Sequence, residues 1–394
     1  MADSYIGKGL EGVIVEKTEL SRVDGEKGEL IYRGYDIDEA AKCSYEEICY
    51  LFLYGELPTT KQLEDITDHL VKTRKVSQPI LDYVATTQHI HPMDSLRTAV
   101  SMLTQELEPV DDSSPDNLKR LAIALVSKTA TIAAAVNRAR SGLKAIEPNP
   151  TLGHAANYLF MSRGKATDPS SGQIPESVIA RTLDIALVLH ADHGFNASTF
   201  TTRVVASSLS DMLSSVTAAI GSLKGSLHGG ANTDVMNMLL EIGSLENVEP
   251  WVLNSLENKK KIPGFGHRVY KVFDPRAKHL KEMSKKWGER VGNVKWFDMS
   301  EKIEEIMHKT KKINANVDFY SASTYYAMGI KPEMFTVIFA VSRMLGWVAH
   351  YIEQIQDNRL MRPEALYVGP VGKHFIPISE RLAATMPMAA EACP

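Results

Sequence analysis

The chain has 394 residues, 44% hydrophobic and 23% charged, with a formal net charge of -4. That length exceeds what one core usually organises, so two domains or a large one with a second built into it are expected, and the charge argues against nucleic acid as the main partner. Cys43, Cys49 and Cys393 are too few and scattered for a disulfide framework or a four-ligand zinc site. With no signal or transit pattern in Met1–Lys17 and no stretch that reads as a membrane span, a reducing cytoplasm and no membrane partner are expected.

Near the start, Gly12-Val13-Ile14-Val15 and Glu29-Leu30-Ile31-Tyr32-Arg33 flank the turn dipeptide Asp24-Gly25 and predict a small hairpin. Ser44 with Glu47 forms a capping box, Ile48, Leu51 and Phe52 share a helical face, and Gly55 with Pro58 ends that segment. Ser114-Pro115 begins another helix with proline in its first turn, followed by Leu118, Leu121, Ile123, Leu125 and Val126. From Ile179 to Leu223, an Ala, Leu, Val and Ser-rich composition with few charges predicts long helices buried on several sides.

Period-two alternation does not persist after residue 40, so the expected class is all-α with a minor N-terminal β-hairpin. No internal repeat at solenoid periods is visible. Positive charge rises between residues 229 and 323, with Lys259, Lys260, Lys261, Lys281, Lys285, Lys286 and Arg290, before apolar helix resumes from Met334 to Tyr351. The basic segment 229–323 therefore reads as a small domain inserted into a larger one made of 1–228 and 324–394. The Ala, Met and Pro-rich stretch after Leu382 suits a mobile arm or a strap across a partner.

Two histidines lie among glycines, in Gly225-Ser226-Leu227-His228-Gly229-Gly230-Ala231-Asn232 and Gly264-Phe265-Gly266-His267-Arg268-Val269-Tyr270. Glycine lets backbone and ligand approach closely, though each imidazole read singly suits a structural role as well as a ligand. Arg268, Lys271 and Arg276 follow within nine residues of His267, with Asp274-Pro275 as a turn, which implies anion binding. Asp318 stands beside Phe319 and Tyr320, where desolvation would raise its pKa and make it a useful base; a helix N-cap is the alternative. Arg343 interrupts an apolar helix and needs an anionic partner or ligand, and Arg362 before Pro363 is a second such cation.

His190-Ala191-Asp192-His193 could suggest metal ligation. On a helix, however, His190 and His193 share a face while Asp192 turns away, and no further Cys/His cluster completes a shell. No metal is expected, and a metal-dependent hydrolase built on these three residues is the remote alternative.

Taken together, these segments resemble the citrate synthase family, of the shorter archaeal and bacterial type that also includes 2-methylcitrate synthases. The resemblance runs from Gly9-Leu10-Glu11-Gly12-Val13 and Tyr32-Arg33-Gly34-Tyr35, through His91-Pro92-Met93-Asp94 and the two histidine motifs, to Arg362-Pro363 and Tyr367-Val368-Gly369-Pro370. It implies a two-domain helical fold, with a large dimerising domain and a small one that closes over the substrates. It also implies Asp318 as the base that deprotonates the methyl group of acetyl-CoA, His228 as donor to the thioester oxygen, and His267 as the group that polarises the keto group of oxaloacetate.

By the same resemblance His193, Arg276, Arg343 and Arg362 bind oxaloacetate, Arg362 coming from the partner of a homodimer. Arg268, Lys271 and Lys261 are candidates for CoA. Acetyl-CoA is a substrate, and no cofactor is implied. Ser226, Thr233 and Ala322 stand where many relatives carry Pro, an acid and Gly. Leu227, where some methylcitrate enzymes carry lysine, favours citrate over 2-methylcitrate synthesis.

Overall fold

The computed structural model describes residues 7–163, 175–267 and 269–381. The chain divides into two compact units, Met1–Leu360 and Met361–Pro394. Among the described residues the first unit contains sixteen α-helices and one three-stranded antiparallel sheet, so the fold is all-α with a minor sheet.

The sheet corrects the predicted hairpin. Its strands are Ser21–Asp24, Glu29–Tyr32 and Tyr35–Asp36, with Ser21 opposite Tyr32 and Asp24 opposite Glu29. Gly12–Val15 is not a strand, and Ile14 is 92% exposed. The turn sets this outcome. Gly28 N–H closes on Asp24 C=O at 2.9 Å, fixing a register in which the residues just before Asp24, rather than the apolar run ten residues upstream, pair with Glu29–Tyr32.

The helices start and stop where local chemistry requires. In Tyr45–Tyr54 the Ser44 hydroxyl accepts from Glu47 N–H and the Glu47 carboxylate accepts from Ser44 N–H, while Gly55 takes the left-handed conformation at the other end. Pro115–Ala139 begins on its proline as expected and is buried along most of its length. The segment from 179 to 223 forms three helices, Ser177–His190, Ala197–Ser207 and Met212–Leu223. Asn196 and Asp211 cap the second and third, and the break at Ala191–Asn196 leaves His193 on a loop.

Phe335–Gln356 runs through the centre, packed on Pro115–Ala139, Ser177–His190, Ala197–Ser207 and Met212–Leu223. Two helices, Pro115–Ala139 and Pro332–Gln356, are long and apolar enough to cross a membrane by length and composition, which corrects the expectation that no stretch is. Burial within the fold accounts for that composition, because 83% of the first apolar window and 94% of the second is covered by other parts of the protein.

The helices Ala231–Ile242, Val248–Glu257, Pro275–Arg290, Lys295–Lys311 and Val317–Ala327 pack mainly on one another. The described part of the second unit, 361–381, has no helix or strand apart from one 3-10 turn at Ile378–Glu380. The stretch after Leu382 lies outside the described residues.

Candidate active site

The loop carrying His267 and the start of the helix carrying Asp318 are zipped together. Phe265 and Ala315 form an antiparallel bridge, Gly266 N–H donates to Asn314 C=O, and Asn316 N–H donates to Gly264 C=O at 2.9 Å. The Asn316 side chain completes the junction, donating from Nδ2 to Gly266 C=O at 2.9 Å and accepting from Asp318 N–H at 3.0 Å. Asn316 rather than Asp318 is therefore the N-cap, which frees the Asp318 carboxylate from that duty. Gly264 has φ +79°, and a Cβ there would lie 2.7 Å from Phe319 and from Val235, so only glycine fits beneath the Asp318 helix.

His267 Nδ1 accepts from the N–H groups of Val269 and Tyr270 at 3.0 and 3.1 Å. The ring proton of the neutral form consequently resides on Nε2. Burial, reinforced by the Arg276 charge, lowers its pKa to about 4, so the imidazole is neutral at pH 7. Its ring meets His193 edge-on at 5.2 Å and lies 4.7 Å from Tyr270. His193, itself buried, shares a 3.1 Å hydrogen bond from Nε2 with the Tyr270 hydroxyl, and burial with the Arg276 charge holds its pKa well below the usual imidazole range.

His228 has the opposite tautomer. Its Nε2 accepts from Ser198 N–H at 3.2 Å and lies 2.8 Å from the Ser198 hydroxyl, which places the proton on Nδ1. Trp347 Nε1–H donates to the same hydroxyl at 3.1 Å and holds Ser198 in place. Phe339 connects this histidine to the rest of the site: its ring is 6.5 Å from His228, 5.0 Å from His190 and 4.9 Å from the Arg343 guanidinium.

Both of the predicted oxaloacetate arginines of the first unit are buried. Arg276 is gripped by Asp274 through Nε to Oδ1 at 3.0 Å and an amino group to Oδ2 at 2.8 Å. Burial opposes both charges, but each partner stabilises the other, so Asp274 stays below and Arg276 above its ordinary pKa. Arg343 Nε donates to His190 C=O at 2.7 Å, and burial depresses its pKa to about 10. It remains charged at neutral pH.

Asp318 is the group most displaced toward use. Burial outweighs the attraction of Arg276 and raises its pKa to about 7, and its buried Oδ1 has no hydrogen-bond partner among the described residues. A carboxylate poised at neutral pH with an unsatisfied oxygen is suited to accept a proton from a weak acid.

The candidates for CoA lie on exposed segments where they are described. Lys271 is exposed and paired with Glu26 of the hairpin, its N–H donating to Gly25 C=O at 2.9 Å, and Lys261 is on an exposed loop. Arg268 lies outside the described residues, and Arg362 belongs to the second unit. Among the described residues no group of three or more His, Cys, Asp or Glu side chains is arranged to hold a metal ion. His190 Nδ1 donates to Ala186 C=O, whereas the Asp192 carboxylate turns to Ser21 and His350.

Sequence reasoning missed Ser198, Tyr270, Asn316 and Phe339, and took Asp274 only as a turn former. For Asp274 a signal existed, because an acid two residues from an arginine meant for the interior is an obvious counter-charge. Ser198 and Phe339 carry no such mark, since only packing sets them beside His228.

Neutral imidazoles of opposite tautomer, a carboxyl poised near pH 7 and two buried guanidinium groups define an acid–base enzyme for a carboxylate substrate, built on an all-α scaffold. A family model described as "Citrate synthase, C-terminal domain" matches residues 9–364. The chain is 47% identical to citrate synthase 2 of Bacillus subtilis over 95% of its length and 99% of that protein. It is 46% identical to the citrate synthase of Haloferax volcanii over 95% of this chain and 98% of that one. Its fold matches the citrate synthase of Thermoplasma acidophilum, solved as a ternary complex with carboxymethyl coenzyme A and oxaloacetate, at a TM-score of 0.88 and 33% identity, covering 96% and 100% of the two chains. The chain belongs to the citrate synthase family.

Proposed function

We infer that this chain condenses acetyl-CoA with oxaloacetate and water to give citrate and CoA. The observation that carries the reading is Asp318, a carboxyl raised to about 7 by burial and set among charges that suit a dicarboxylate. The Thermoplasma acidophilum relative, solved as a ternary complex of carboxymethyl coenzyme A and oxaloacetate with citrate synthase, supports the choice of substrates.

Asp318 takes a proton from the methyl carbon of acetyl-CoA while His228, protonated on Nδ1, donates to the thioester oxygen and stabilises the enol or enolate as it forms. The methyl carbon then attacks the keto carbon of oxaloacetate. His267 Nε2–H faces the keto oxygen and supplies a hydrogen bond or a proton as that oxygen becomes an alcohol. Water cleaves the thioester of the resulting citryl-CoA, giving citrate and free thiol. His193, Arg276 and Arg343 hold the carboxylates of oxaloacetate, and Arg362 reaches the site of a partner subunit in a homodimer. Lys271, Lys261 and Arg268 are the candidates for CoA.

Segment 229–323 acts as a small domain that closes on the larger one and keeps water from the thioester until condensation is complete. Support comes from the ties between the N-terminal hairpin region and this segment: Lys271 with Gly25 and Glu26, and Asp38 with Lys278 and His279. Oxaloacetate, by engaging Arg276 and His267, favours the closed state. Identical small-angle scattering with and without oxaloacetate would count against closure.

The activity is tested by release of CoA thiol in the presence of oxaloacetate, with acetyl-CoA and propionyl-CoA run in parallel on wild type and Asp318→Ala. Wild type releases thiol with acetyl-CoA and the variant does not. Faster release with propionyl-CoA would transfer the reading to 2-methylcitrate synthesis, since one methylene is worth only about 1–3 kcal/mol of discrimination. No release with either donor would remove it.

A further inference from the structure

Behind His193 runs a line of buried polar groups that the proposed chemistry does not use. Asp192 is fully buried, and its Oδ2 accepts from the Ser21 hydroxyl, from Gly194 N–H at 3.2 Å and from His350 Nε2 at 3.2 Å. The other nitrogen of His350, Nδ1, accepts from Arg203 Nε at 3.1 Å, so the imidazole proton is on Nε2 and directed at Asp192. Arg203 donates onward to Gln354 Oε1 at 3.0 Å and to Glu353, whose side chain is 20% exposed. The line therefore extends from the protein surface to the residue that precedes His193.

Two observations tie it to the site. The Asp192 backbone is clamped as well: Tyr32 donates its hydroxyl to Asp192 C=O at 2.9 Å, and the central helix presses Gly346 against it. A Cβ at Gly346 would sit 2.4 Å from Ala191 C=O and 2.7 Å from Asp192 Oδ1. Asp192 is also the main opposing charge that offsets burial of Arg343, because Asp274 is already engaged by Arg276.

We propose that Asp192, His350 and Arg203 are positioning residues for the oxaloacetate site, fixing His193 and balancing the Arg343 charge without touching substrate. The inference rests on the reading of the site given above. Three donors converge on Oδ2 of Asp192 and fix the carboxylate, so the loop that follows it has one orientation before substrate arrives, and less binding free energy is lost in ordering it. Burial opposes the charge on Asp192, yet His350 and Arg343 keep its pKa below the ordinary value, in agreement with an ionised hub.

The test is steady-state kinetics with each substrate varied in turn, alongside thermal melting. Asp192→Asn raises KM for oxaloacetate on the order of tenfold while KM for acetyl-CoA stays within about twofold. His350→Asn, which retains an acceptor for Arg203 but lacks the donor that reaches Asp192, moves the same constant in the same direction. Ser21→Ala removes a single donor and gives a smaller rise, which keeps the test decisive should the first two variants fail to fold.

An oxaloacetate KM equal to wild type in the folded variants overturns the proposal, as does an equal loss for both substrates that tracks a lowered melting temperature. Wild type that releases no thiol with oxaloacetate and acetyl-CoA defeats the functional reading itself. Wild-type turnover with unaltered oxaloacetate KM in the variants defeats only the positioning chain.

Discussion

The backbone N–H of Ser198 donates to Nε2 of His228 at 3.2 Å, and because a main-chain donor cannot reverse its polarity, the tautomer of His228 is set by the fold. At His267 two backbone donors occupy the other nitrogen, Nδ1. Nitrogen chemical shifts should thus show His228 protonated on Nδ1 and His267 on Nε2 at pH 7. An imidazolium signal from His267 at that pH would contradict the assignment.

In the proposed mechanism, removing the His228 donor leaves the substrate carboxylate contacts in place. His228→Ala should lower kcat by about 10²–10³-fold, the usual cost of losing one donor to a developing oxyanion, while KM for oxaloacetate changes little. Thiol-release kinetics would check both values, and an unaltered kcat would remove His228 from the chemistry.

Asp318 must be ionised to accept a proton, and its pKa is raised to about 7, so the rate should fall as pH drops through that value. The stability effect has the opposite sense. A carboxyl with a folded-state pKa above its unfolded value destabilises the fold where it is ionised, fully above about pH 7, and the cost fades between about pH 7 and 4. Asp318→Asn should therefore melt higher than wild type at pH 8, with the gap narrowing toward pH 4, and be inactive throughout.

Asp274→Asn strips Arg276 of its counter-charge in the interior. A loss of about 3–5 kcal/mol in stability is expected, read from denaturant unfolding, together with a raised KM for oxaloacetate. For the wild-type pair the sign is that of a depressed carboxylate: the stabilisation is complete above about pH 4 and is lost as pH falls through the lower folded-state value.

Chelation separates the proposed reaction from the remote metal-hydrolase alternative. Treatment with EDTA followed by gel filtration should leave thiol release unchanged. Loss of activity that added zinc restores would reopen the role of His190, Asp192 and His193.

The sequence by itself determined the helical class, through apolar periodicity and the Ser44–Glu47 and Ser114–Pro115 starts, and it marked His228, His267, Asp318, Arg276 and Arg343 as the chemically unusual positions. Those signals are local: caps depend on neighbours three residues away, and glycines or charges in apolar surroundings stand out in one dimension. The tertiary structure alone decided which strand Glu29–Tyr32 pairs with, that Asn316 caps the Asp318 helix and leaves the carboxylate Oδ1 without a partner among the described residues, and which nitrogen of each imidazole carries its proton. It also turned Asp192 from a possible metal ligand into the centre of a buried network joining Ser21 to His350. Those outcomes depend on hydrogen bonds between segments far apart in the chain, where geometry and burial, rather than residue type, decide which groups meet.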